Sequence, residues 1–201
     1  MTATGGGLRD GNVVGLDGGT QDRDSTERLL GSIVDRVRGS GLTVTLACTH
    51  FVTRPERHWA ASLLVRRRAP DVGVLPDGVS MVAVDDRGGA RGGGGSPQWA
   101  AGAASAAEQL LASSARVVVF DGQDLLPPAL PVEDVLALTA IEEVRGVGGT
   151  STAGQLLHTR GYVRPNLIQG RLVLHVRPYG EDGHVAPFEV PHPTPCCAAH
   201  G

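Results

Sequence analysis

Cysteine and histidine carry the most versatile chemistry in this chain, and they gather at two places. The last eleven residues contain His192, Cys196, Cys197 and His200, and an earlier stretch reads Cys48-Thr49-His50. Thiolate sulfur and imidazole nitrogen are zinc ligands, so a thiophilic metal, zinc first, is the cofactor this grouping would take. Two adjacent cysteines can both ligate, but they lack the two-residue spacing of ordinary structural zinc sites. The tail is therefore an incomplete site, to be completed by Cys48 and His50 or by a second subunit. The plainer alternative is a frayed terminus with incidental cysteines.

A second grouping is acidic. Asp85, Asp86, Asp121 and Asp124 fall at or just beyond the C-terminal ends of two expected strands. In open α/β sheets that is where ligands bind, and clustered carboxylates there can hold magnesium or act as acid and base. Aspartate also simply ends strands and begins turns, and that is the favoured reading. A third grouping is basic: Arg145, Arg160, Arg164, Arg171 and Arg177 lie in a segment, 144–180, that has no carboxylate. Such a segment could contact a partner or the phosphates of a nucleic acid, if the charges converge. Acidic residues between 133 and 143 weaken the nucleic-acid version.

Composition removes several functions. All 18 basic residues are arginine, a usage that fits a GC-rich genome. Without lysine there is no phosphate-loop lysine, no kinase-type strand lysine and no Schiff-base nucleophile. Gly146-Val147-Gly148-Gly149 follows a helix rather than a strand, and Gly149-Thr150-Ser151-Thr152-Ala153 lacks the second glycine of a nucleophile elbow; neither motif survives. Net charge is -3, without a global nucleic-acid or membrane signature. Three cysteines do not form a disulfide framework. The N-terminal residues do not read as a secretion signal and no apolar run reaches membrane-spanning length, so the expected setting is the cytoplasm with no membrane partner.

The elements that must position these groups follow from periodicity. With only seven aromatic residues, the core has to be built from Val, Leu and Ala. Residues 1–23 read as a glycine- and aspartate-rich arm. Asp24-Ser25-Thr26-Glu27 resembles a capping box, and Leu29, Leu30, Ile33, Val34 and Val37 follow at helical spacing. Leu42–Cys48 is a strand. Thr53-Arg54-Pro55-Glu56 is expected to cap a second helix reaching Arg68, with Arg66-Arg67-Arg68 suited to its C-terminus. Val79–Val84 is a strand. The run 87–95 reads as a flexible glycine-rich loop, Ser96-Pro97 opens a helix through Leu111, and Arg116–Asp121 is a strand buried on both faces. A helix from Pro131 to Val144, a short helix within 150–158 and a C-terminal β-hairpin complete the chain.

The expected fold is α/β, a mostly parallel or mixed sheet with flanking helices, plus a C-terminal α+β segment ending in the hairpin. Its divisions are an arm (1–23), an α/β domain (24–121), a helix-plus-hairpin segment (122–190) and a Pro/Cys/His tail (191–201). In the hairpin, the apolar sets Leu172, Leu174, Val176 and Ala186, Phe188, Val190 share even parity. Opposed residues should therefore sum to an even number, with Leu174 facing Phe188, Gly183 left-handed and a loop longer than two residues. Pro187 belongs at an edge or bulge. Functionally the chain reads as a regulatory or partner-binding module without catalysis, its partner another protein. A metal- or thiol-dependent accessory protein is the alternative, and an enzyme using the strand-end aspartates is the second alternative.

Overall fold

A computed structural model describes residues 11–85, 89–149 and 151–191. Among them are twelve strands and three α-helices. The chain divides into two compact units: residues 1–121 with Leu167–Arg171, and 122–166 with 172–201.

The first unit begins with β1 (Gly11–Thr20), followed by α1 (Arg23–Gly39), β2 (Val44–Val52), β3 (His58–Arg66), β4 (Ser80–Val84), β5 (Ala90–Gly93), α2 (Ala100–Leu111) and β6 (Ser114–Phe120). Its strand order is β5-β4-β1-β3-β2-β6, and every neighbouring pair is antiparallel. The expected parallel character is absent here because β2 and β3 form a hairpin, whose short connection can join only antiparallel strands.

Three elements differ from those expected, and the first two of the differences follow from burial on both faces. Residues 11–20 are not part of an arm: β1 lies inside the sheet between β4 and β3, with Val13, Val14, Leu16 and Asp17 buried. The segment expected as a second helix is β3. Trp59, Leu63 and Leu64 satisfy helical spacing, but His58-Trp59-Ala60-Ala61-Ser62-Leu63-Leu64-Val65 also fills both faces of a covered strand. The glycine run is not all loop, since Ala90–Gly93 pairs with β4 as a short edge strand. Helix α1 does form, but its N-cap is Asp22, whose side chain accepts a 2.8 Å hydrogen bond from the Ser25 amide.

The two long helices lie on opposite faces of this sheet. Leu30, Ile33, Val34 and Val37 of α1 pack on the face that carries Val14, Leu16, Ala61, Leu63 and Val65. Arg116 of β6 reaches Glu27 of α1 at 2.9 Å, with both side chains mostly buried, and ties that helix to the sheet. The other face carries Gly15, Ala60 and Val52 and receives α2 through Ala103, Ala106 and Ala107. The contact there is backbone to backbone. A Cβ on Gly15 would collide with the Ala103 carbonyl oxygen.

The second unit holds β7 (Ala129–Pro131), α3 (Val132–Leu138), β8 (Glu143–Gly146), β9 (Leu156–His158), β11 (Arg171–Pro178, all but its first residue) and β12 (His184–Pro187); β10 (Asn166–Ile168) falls largely in the first unit. Here β11 pairs with β12, β12 with β9 and β9 with β7, while β8 lies beside β11. Two of these pairings, β8 with β11 and β9 with β12, are parallel. The segment expected as a short helix within 150–158 supplies β9 instead.

The hairpin has a five-residue loop with Gly183 left-handed at φ 85°, but its register is odd: Val176 faces Pro187 and Arg177 faces Ala186. The parity argument assumed one buried face. Leu172, Val173, Leu174 and Val176 are all buried, as are Val185, Ala186 and Pro187, so both faces are covered and parity no longer selects the register. Phe188, expected inward, is 55% exposed.

Gly15→Val should therefore destabilise the protein by about 1–3 kcal/mol or more, the cost of overpacking a closed contact. Gly31→Ala, inside α1 where an added Cβ meets nothing within 4 Å, should stabilise it by roughly 0.5–1 kcal/mol. Urea unfolding of the two variants checks both signs, and a tolerated Gly15→Val would mean that α2 does not sit this close.

Candidate functional site

The face of the first sheet beneath α2 carries two polar pairs. Between Leu16 and Thr20 the register of β1 against β3 slips: Leu16 faces Ala61, whereas Thr20 faces Trp59. Asp17-Gly18-Gly19 occupies the slip, a bulge that re-aims the Asp17 side chain. Asp17 Oδ2 lies 2.7 Å from His58 Nε2, and Asp17 Oδ1 accepts a 2.8 Å hydrogen bond from the Gly19 amide. His58 Nδ1 is 2.7 Å from the Glu56 carbonyl oxygen. A carbonyl only accepts, so Nδ1 carries its hydrogen and the Nε2 contact shares one proton with the carboxylate. Both side chains are fully buried. Trp99 covers the imidazole at a ring separation of 5.0 Å, and α2 closes over Asp17 at Gly102, where any Cβ would strike the carboxylate.

Next to this pair, β2 places Cys48 and His50 on the same face, two residues apart. Cys48 stands opposite Ser62 in the register, and His50 Nε2 is 2.7 Å from Ser62 Oγ. All three are buried. Burial drives His50 down to about 4, with the Gln109 side chain opposing it. Its Nδ1 nevertheless has no hydrogen-bond partner, and the Gln109 amide nitrogen is directed to the Phe51 carbonyl at 3.3 Å. Burial likewise pushes the Cys48 thiol far up, with Ser62 pulling slightly the other way. A neutral, covered thiol is neither a nucleophile nor a ready metal ligand. A serine, a neutral imidazole and a carboxylate–imidazole pair thus share one face, but α2 closes it to substrate.

The structure brings Cys48 and His50 together but encloses them. The other residues assigned to the metal reading, His192, Cys196, Cys197 and His200, lie outside the described residues. Among the described residues no group of three or more His, Cys, Asp or Glu could hold a metal ion. Of the strand-end aspartates, Asp86 lies outside the described residues, and Asp85 and Asp121 do not converge. Asp85 follows β4 and Asp121 follows β6, with β1, β3 and β2 between them, a separation of about 19 Å at ordinary strand spacing. Asp121 is exposed and sits 4.0 Å from Arg66.

Of the five arginines of the basic segment, Arg145, Arg160 and Arg164 are individually engaged. Arg145 is bonded to Glu143 at 2.7 Å, a contact that raises its pKa further. Arg164 stacks over Tyr162 at 4.3 Å, and Arg160 lies over Tyr179 at 5.8 Å. Arg177 is exposed on β11, whereas Arg171 belongs with the residues of the first unit. His158 Nε2 and His184 Nδ1, on the parallel pair β9 and β12, are hydrogen-bonded at 3.0 Å. That pair has no signal in the sequence, because the two residues are 26 positions apart.

Periodicity also missed an open cavity of about 470 Å³ in the first unit. Its apolar lining comes from Ala69, Pro70, Val72, Met81 and Ala83, and its polar lining from Asn12, Arg67, Arg68, Arg91, Asp71 and Asp85. Arg68 is paired with Asp71 at 3.2 Å, and Asp85 accepts the Gly89 amide at 2.7 Å. Arg67 holds φ 74°, with the Arg68 amide bonded to the Arg66 carbonyl at 3.0 Å around it. That is a γ-turn of the positive-φ kind, strained by about 1–3 kcal/mol in a residue other than glycine. The Arg66-Arg67-Arg68 run was the available signal, and it was read as the end of a helix.

Two outcomes follow from the covered face. Asp17→Ala leaves the His58 ring without its partner and should cost about 3–5 kcal/mol in urea unfolding, whereas a double Asp17→Asn/His58→Gln variant should recover part of that loss. For His50, protonation is disfavoured in the folded state, so its contribution is complete above the unfolded value of 6.5 and is lost as pH falls toward about 4. The wild type should then lose about 3 kcal/mol more than His50→Gln across that window. Parallel stability–pH curves would show that this imidazole is not shielded.

The chain matches no protein-family model, and neither the curated proteins nor the solved structures include a significantly similar one.

Proposed function

We propose that this protein is a partner-binding module that acts by recognition rather than by catalysis. One contrast supports the reading. Groups with nucleophilic or acid–base chemistry (Cys48, His50, Ser62, Asp17 and His58) lie closed beneath α2, whereas the open cavity of the same unit is walled by arginines. Its lining contains no Ser, Thr, Cys, His, Tyr or Lys, and its two carboxylates, Asp71 and Asp85, are bonded to Arg68 and to the Gly89 amide. Arginine is a poor proton donor at neutral pH but an effective recognition group, because its planar fork matches carboxylate and phosphate oxygens. No described helix is long and apolar enough to span a membrane.

The reading predicts binding without turnover. Thermal unfolding in the presence of a panel of small anions and of peptides ending in a free carboxylate should identify ligands that raise the midpoint. A ligand at a hundred times its Kd contributes about 2.7 kcal/mol. Recovered ligand should be chemically unchanged by mass spectrometry after prolonged incubation. Conversion of the ligand would overturn the proposal, as would a panel from which nothing stabilises the fold.

A further inference from the structure

Building on that reading, we infer that the arginine-walled cavity of the first unit is a binding site for a monoanionic carboxylate with an apolar body. The charge pattern leads there. Three arginines and two aspartates line the cavity. Arg68 is held by Asp71, and Asp85 is held by the Gly89 amide. Arg67 and Arg91 make no ion pair with any described residue, and among the described lining residues three guanidinium groups against two carboxylates leave a formal excess of one positive charge. One carboxylate balances that excess, whereas a phosphate dianion would overcompensate it. Asn12 adds a neutral hydrogen-bonding group.

The apolar lining selects the rest of the ligand. Met81 and Ala83 on β4 are nearly closed to solvent, while Val72 is 39% exposed toward the opening. A volume near 470 Å³ is in the range that encloses a small organic molecule rather than a bare ion.

The backbone supplies an independent argument. Arg67 occupies a strained positive-φ turn at the cavity wall, a conformation that glycine would adopt without penalty. Strain retained in a residue with a long charged side chain marks a position kept for what the side chain does. The fold would gain stability from glycine there and lose the guanidinium.

Isothermal titration with decanoate tests the assignment on the full chain. Saturable one-to-one binding is expected, weakened at least tenfold in Arg91→Ala. In Arg67→Gly, binding should weaken by a similar factor while the thermal midpoint rises, which separates loss of the site from loss of the fold. Decanol should bind at least tenfold more weakly than decanoate, and inorganic phosphate should not compete. Decyl phosphate binding more tightly than decanoate would overturn the monoanion assignment, and equal binding of decanol would overturn the role of the arginines. Decanoate failing to bind while a carboxylate-ended peptide still stabilises Arg67→Gly would sink this inference and leave the partner-binding reading standing. Chemical conversion of decanoate would instead sink that reading.

Discussion

The first unit depends on how closely α2 approaches the sheet. The helix sequence Ala100-Ala101-Gly102-Ala103-Ala104-Ser105-Ala106-Ala107 offers almost no side-chain volume, and Gly15 on β1 offers none. Backbone can then meet backbone, and water is excluded from the strip between them. Everything polar in that strip must find a partner inside it, because an unpartnered buried charge or amide costs far more than a bonded one returns. Asp17 and His58 meet that requirement together: the carboxylate takes the Gly19 amide and the imidazole, and the imidazole uses its other nitrogen on the Glu56 carbonyl.

A buried pair of this kind is weak evidence for stability as such, since an apolar replacement of the same shape is often as good. Its consequence is specificity of arrangement. Asp17 reaches His58 only because β1 bulges at Gly18-Gly19, and a side chain at Gly19 would run into Trp99. Bulge, tryptophan and helix start are thereby tied to one hydrogen-bonded geometry. His50 is the incomplete counterpart, with one nitrogen bonded to Ser62 and the other left over. Because burial holds the folded imidazole at about 4, a state in which His50 is exposed gains a proton first as pH falls below 6.5, and acid favours that state.

How much of this was legible in the sequence depended on whether each element had one covered face or two. Helix α2, β4 and β6 have clean signals: a proline-marked start, a β-branched run, a continuous apolar stretch. Helix α1 was legible apart from its cap, which is Asp22 rather than Asp24 because an aspartate two residues earlier offers the same oxygen. β1 was not legible, because Gly11-Asn12-Val13-Val14-Gly15-Leu16-Asp17-Gly18-Gly19-Thr20 has glycine where the helix touches it and at its bulge, and glycine lowers every strand score. β3 was misread because a strand buried on both sides has no period of two to detect. The same physics defeated the hairpin register: parity constrains pairing only when one face is solvated.

The chemistry was legible by residue type but not by place. Cys48 and His50 stand out in a chain with three cysteines and seven histidines, yet nothing local says that a helix fifty residues later will cover them. The arginines near 66–68 and 91 show the opposite failure. Their neighbours in sequence, a strand end and a glycine run, gave them ordinary roles as helix terminator and linker. They become a wall only when β1 pairs with both β3 and β4 and so brings β4 and β5 to the same end of the sheet as the end of β3. The covered face and the open cavity are two results of the same layered sheet. Its α2 face is closed too tightly to admit a ligand. Its other face is covered by α1 along one part only, and the open cavity lies over β4, beyond the part that the helix covers.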